Sequence, residues 1–110
     1  MPADDKPLVW LHGEVKSPPF SAEARREAGF VLRMLQKGEN LGMPVCRPMP
    51  IVGPRCRELR VNDESITWRI ICRIDEDAIV IAEVFSKKTK ATPKIVIEVC
   101  RNRLKRYDEL

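Results

Sequence analysis

The sequence predicts an α+β fold: a small antiparallel β-sheet of about four strands, with an N-terminal helix before it and a C-terminal helix after it. Three observations carry that expectation. Between Arg57 and Phe85 three strand-like runs follow one another across short polar turns, which implies an antiparallel meander. An apolar repeat at helical spacing precedes the meander and another follows it. The chain has 110 residues, the size of a single domain with one core, so 1–110 is read as one unit.

Residues 1–7 read as a loose tail. Leu8 to His12 (LVWLH) is a short apolar stretch with the character of a strand. Residues 13–20 are broken by Gly13 and by Pro18–Pro19, leaving room for irregular chain or one helical turn. Ser21 is a good N-cap, and Ala24, Ala28, Val31, Leu32 and Leu35 recur on one helical face, with Phe30 and Met34 widening it. Gly38 supplies the stop, which gives a helix over about 21–37. Residues 38–55 hold three glycines and four prolines and read as a long loop.

The three strands are expected at Arg57–Asn62 (RELRVN), Ile66–Ile74 (ITWRIICRI) and Ala78–Phe85 (AIVIAEVF). Period-two alternation puts Trp68, Ile70, Cys72 and Ile74 on the core face, and Thr67, Arg69, Ile71 and Arg73 on the other. Pairing Ile74 with Ala78 across the second turn sets Arg69 opposite Glu83, an ordinary cross-strand ion pair. The last helix starts with Thr92 as N-cap and Pro93 at its first position. Val96, Val99, Cys100, Leu104 and Tyr107 form its buried stripe, and Lys94, Arg101 and Lys105 stay outside.

Composition excludes several classes of function. With 44% hydrophobic and 33% charged residues the chain is globular rather than disordered. No apolar run approaches the ~20 residues of a membrane helix, and no secretory signal opens the sequence, so the expected compartment is the cytoplasm. Cys46, Cys56, Cys72 and Cys100 form no CxxC and have no histidine nearby, which argues against zinc. Cys72 and Cys100 fall on apolar faces and are expected as buried, reduced thiols. The sequence lacks a Gly-rich phosphate loop, GxSxG and HExxH, and its one histidine, His12, lies in an apolar segment and reads as structural. No cofactor is expected.

The net charge of +4 is unevenly spread. From Ser86 to Leu110 eight Lys/Arg face three Asp/Glu, a net of +5, so the rest of the chain sums to −1. A basic constellation follows: Arg57 and Arg60 on the first central strand, Arg69 and Arg73 on the second, Lys87, Lys88 and Lys90 after the third, and Lys94 at the helix start. In a meander these converge on one sheet face and its rim, where the helix N-terminus adds backbone donors. Such a surface suits a nucleic-acid backbone, with a solvated basic face as the plain alternative. Most of the aromatic residues fit the core, so no broad stacking platform for bases is expected.

The segments RELRVN, TWRIICRID and AIVIAEVFSKKTKATPKIVIEVCRNRL resemble the RelE/HigB-like toxin superfamily of bacterial toxin–antitoxin systems. The resemblance is closest to its phage-derived branch, whose members carry an ELR strand and an F-x-K-K-T-x-x-T-P junction. It covers residues 57–106 well and the first helix more loosely. It implies a ribosome-dependent mRNA endoribonuclease that inhibits translation, with a cognate helix-turn-helix antitoxin, ribosome and mRNA as partners and no membrane. The chemistry implied is attack of a 2′-hydroxyl on the adjacent phosphodiester, which needs proton transfer and cations for the developing charge. By position, Arg69, Lys88 and Lys94 are the implied catalytic residues, with Arg57, Arg60, Arg73, Lys87 and Lys90 on the RNA phosphates. The sequence departs from active relatives in two places: the helix start has no Tyr or His, and position 72, often Tyr, is Cys. Two alternatives therefore stand beside the enzyme. One is a catalytically weak or inactive module that binds RNA or an antitoxin; the other is a subunit that forms an operator-binding complex with its antitoxin.

Overall fold

A computed structural model describes residues 5–11, 20–64, 66–86 and 91–110. Within them lie β1 (Leu8–Trp10), α1 (Ala22–Gln36), β2 (Cys46–Pro48), β3 (Cys56–Asp63), β4 (Ile66–Ile74), β5 (Ile79–Ser86) and α2 (Lys94–Asp108). The fold is α+β. The five strands make one mixed sheet in the order β1-β5-β4-β3-β2, in which β1 runs parallel to β5 and every other pair is antiparallel. His12 and the irregular stretch expected at 13–20 lie almost wholly outside the described residues.

Helix α1 forms for the reasons its sequence gives. Ser21 accepts a hydrogen bond from the Ala24 amide, and Ala24, Ala28, Val31, Leu32 and Leu35 are all buried. Gly38 ends it with φ of +85°, a conformation that favours glycine. Phe30 is 65% exposed and does not join the apolar stripe. Asp63, at the β3–β4 turn, accepts hydrogen bonds from the Ser21 amide at 2.9 Å and the Trp68 indole at 3.2 Å, which fixes the start of α1 over the sheet. Phe20 packs edge-on against Trp68.

Two expectations about segments outside the meander are corrected. Residues 5–7 are tied down: the Lys6 amide donates to the Gln36 carbonyl, Gln36 Nε2 donates back to the Lys6 carbonyl, and Asp5 pairs with Arg33. The long 38–55 loop contains a strand, because Cys46–Pro48 pairs with Arg57–Leu59 at the sheet edge.

Both faces of the sheet are core. Leu59, Val61, Ile70, Cys72, Ile79 and Ile81 pack under α1. Ile71, Val80, Ala82 and Cys56 pack under α2 through Cys100 and Leu104. The face of β4 that carries Arg69 and Arg73 is therefore a second, covered face rather than a solvent face. All four cysteines are free thiols and buried; burial pushes the Cys72 thiol up, and that of Cys100 up to about 12.

The register differs from the expected one in two steps. Ile74 pairs with Ile79, one residue further along than expected, because the turn closes through the Asp75 amide and the Ala78 carbonyl. A bulge then leaves Ala82 between the Cys72–Ile81 and Ile71–Glu83 pairs. Arg69 consequently faces Phe85 instead of Glu83, and Glu83 pairs with Arg103 of α2 at 3.3 Å.

Candidate nucleic-acid interface

The basic residues separate into three environments. Arg57 is three positions from Arg60 on β3, so the two side chains leave opposite faces of the sheet. Arg57 lines a cleft with Lys6, Leu35, Glu39, Asn40 and Ile74 beside α1, away from the other predicted ligands. Arg73, on the α2 face, is fully engaged. Its Nε and Nη2 donate to Asp75 at 2.7 and 2.9 Å, and its Nη1 and Nη2 donate to Asp108 at 2.9 and 2.7 Å. Its guanidinium also lies 5.9 Å from the Tyr107 ring centroid. These two carboxylates raise the Arg73 pKa, the Asp108 hydrogen bonds first. The structure does not bring Arg57 or Arg73 to the site.

Arg60 and Arg69 it does bring together. They are direct cross-strand partners in the β3–β4 ladder and leave the same face. Like charges in directly opposed positions destabilise a sheet, so the pair breaks a local rule, as functional sites tend to. Arg69 is only 8% exposed, and the Nε atoms of both arginines are buried without a hydrogen-bond partner. Burial, followed by the charge of Arg60, lowers the Arg69 pKa; Glu58 opposes this and Arg47 adds to it.

One carboxylate sits among these cations. Glu58 is 2% exposed. Its Oε1 accepts from Arg47 Nη2 at 2.9 Å and lies 3.8 Å from Arg69 Nη1. Its Oε2 accepts from the Thr92 hydroxyl at 2.8 Å. Thr92 is therefore not the N-cap of α2. Pro93 holds that position with no side-chain capping bond, and no acidic residue lies in the first turn. The helix presents an uncapped positive end, with Lys94 exposed at its first residue, beside the arginine pair. Lys87, Lys88 and Lys90 lie outside the described residues.

Two guanidiniums, those of Arg47 and Arg69, thus approach one carboxylate near the start of a helix, with Arg60 opposite Arg69 in the ladder. An anion with several acceptor oxygens would relieve the repulsion between the paired guanidiniums, and phosphate has that geometry. Among the described residues no cluster of His, Cys, Asp and Glu is arranged to hold a metal ion.

Arg47, Glu58 and Thr92 were missed as members of the site. Arg47 lies in the segment that reads as loop, and Thr92 reads as an N-cap. Glu58 was legible in part, as a charged residue alternating onto the same face as Arg60.

The family model described as "Phage derived protein Gp49-like (DUF891)" matches residues 19–105, most of the chain, and the protein belongs to that family. No curated protein matches it.

Proposed function

We propose that this Gp49-like protein is a toxin of the RelE/HigB-like type, a ribosome-dependent endoribonuclease that cleaves mRNA and is neutralised by a cognate antitoxin. The observation that carries the reading is the Arg60–Arg69 pair: two guanidiniums held side by side, each with a buried unpartnered Nε, next to an uncapped helix start. Arg69 and Arg60 hold the scissile phosphate and stabilise the charge that develops on it. Lys94, with Lys87, Lys88 and Lys90 of the preceding segment, contacts the flanking phosphates, and Lys88 or Lys94 takes part in proton transfer.

Induced expression with mapping of mRNA 5′ ends tests this. Growth arrest with cuts at a fixed codon position supports it. Normal growth with intact mRNA overturns it.

A second reading, a module that binds RNA or an antitoxin without cutting, is favoured by a specific observation. Two other side chains with an acidic proton, Cys72 and Tyr107, are used elsewhere: Cys72 is fully buried on the α1 face, and Tyr107 packs against Arg73. Binding of an RNA oligonucleotide without cleavage, in the presence of ribosomes, would select this reading.

A further inference from the structure

We infer that Glu58 is a positioning residue: it orients Arg69 and locks the start of α2 against the sheet, so that arginine pair and helix end act on one phosphate. The inference rests on the phosphate-binding reading of the site and gives a role to a residue that reading leaves unused.

A carboxylate buried to 2% exposure is costly unless it is paired and hydrogen-bonded. Here each oxygen is used in a different direction. Oε1 ties β2 through Arg47 and lies within ion-pair distance of Arg69 on β4. Oε2 holds the Thr92 hydroxyl, two residues before the first residue of α2. Glu58 therefore joins four separate pieces of chain, β2, β3, β4 and the segment entering α2, in one small volume.

Charge bookkeeping separates this role from phosphate binding. Glu58 is itself anionic and repels a phosphate, so its removal makes the pocket more positive. A residue that merely tuned charge would, on neutralisation, raise both RNA affinity and cleavage. A residue that positions Arg69 leaves affinity intact and lowers turnover, because misplacement by about 1 Å can cost about 10²-fold in rate.

The test compares the wild type with Glu58→Gln and Thr92→Val, the second keeping the buried charge while removing one of its hydrogen bonds. Three quantities are read: cleavage of ribosome-bound mRNA, affinity for a 2′-deoxy RNA analogue that cannot be cut, and the 15N-resolved Nε–H resonance of Arg69. Glu58→Gln is expected to bind the analogue at least as tightly, to cut about tenfold or more slowly, and to broaden or shift the Arg69 resonance. Thr92→Val is expected to change cleavage and resonance in the same direction, less strongly. An unchanged Arg69 resonance in both variants overturns the inference, as does a parallel loss of affinity and cleavage. If the wild type cuts no RNA, the ribonuclease reading falls, and the Arg69 resonance still decides the role of Glu58.

Discussion

Arg69 and Arg73 lie four residues apart on one strand, leave the same face, and are 8% and 9% exposed. Their surroundings are opposite. Arg73 meets two carboxylates in four hydrogen bonds, and its charge is stabilised. Arg69 faces another arginine, shares Glu58 with Arg47, keeps an unpartnered Nε, and has its pKa lowered. Burial and residue type therefore do not distinguish a fully paired arginine from an incompletely paired one; the count of acceptors around it does. Arg73 joins β4 to the C-terminal end of α2, whereas Arg69 is held, incompletely satisfied, at the N-terminal end.

Matched substitutions test the contrast. Arg69→Met is expected to lower RNA cleavage about 10²–10³-fold, the cost of removing one donor to a developing oxyanion. It also relieves the repulsion from Arg60, so the urea midpoint should hold or rise, by the equivalent of up to about 1 kcal/mol. A fall in stability as large as that of the Arg73 variant would erase the distinction. Arg73→Met is expected to destabilise the fold by about 3 kcal/mol, since removing one member of a buried ion pair strands the other. Asp108 is half exposed, so Asp75 supplies the larger part of that loss. Activity per folded molecule should stay at the wild-type level.

Acid extends the comparison. Hydrogen bonds from Arg73 hold the Asp108 carboxyl below its ordinary range, and those from Ser21, then Trp68, do the same for Asp63. Groups with lowered folded pKa contribute their full stability above the unfolded value, near 3.9, and lose it as pH falls through the folded value. Thermal unfolding followed from pH 6 to 2 should therefore show falling stability below about pH 4. Arg73→Met should flatten that decline, and Arg69→Met should leave it unchanged.

The smallest effect expected is at Lys94. It stands in the first turn of a helix without an acidic residue there, a position that disfavours a cation. Lys94→Ala should stabilise the protein by a few tenths of a kcal/mol, about the exposed end of the dipole range. It should also reduce the salt dependence of RNA binding by roughly one phosphate contact. A loss of stability instead would show that Lys94 packs rather than waits for an anion.

Much of the fold was legible along the chain. Local periodicity placed α1 within a residue at each end, located β3, β4 and β5, and identified the buried stripe of α1 in full. It also put Arg69 and Arg73 together on the second face of β4. β2 escaped because three residues among prolines carry no readable period; the strand exists only because β3 offers it a partner. The strand character of β1 was legible, but its parallel pairing was not, because its partner β5 lies about 70 residues away in the chain.

The sequence by itself determined the α+β class, the order of the main elements and the supply of cations toward the C-terminus, since these follow from residue spacing and composition. Tertiary structure decided which cations remain available. A one-residue longer turn and a bulge moved Glu83 away from Arg69 and left Phe85 there. The twofold alternation of β3 sent Arg57 to the far face, the distant Asp108 joined the neighbouring Asp75 in claiming Arg73, and Glu58 took Thr92 from its cap. The claims of Asp108 on Arg73 and of Glu58 on Thr92 depend on partners many residues apart, and a shift of one residue in a strand exchanges every partner it has.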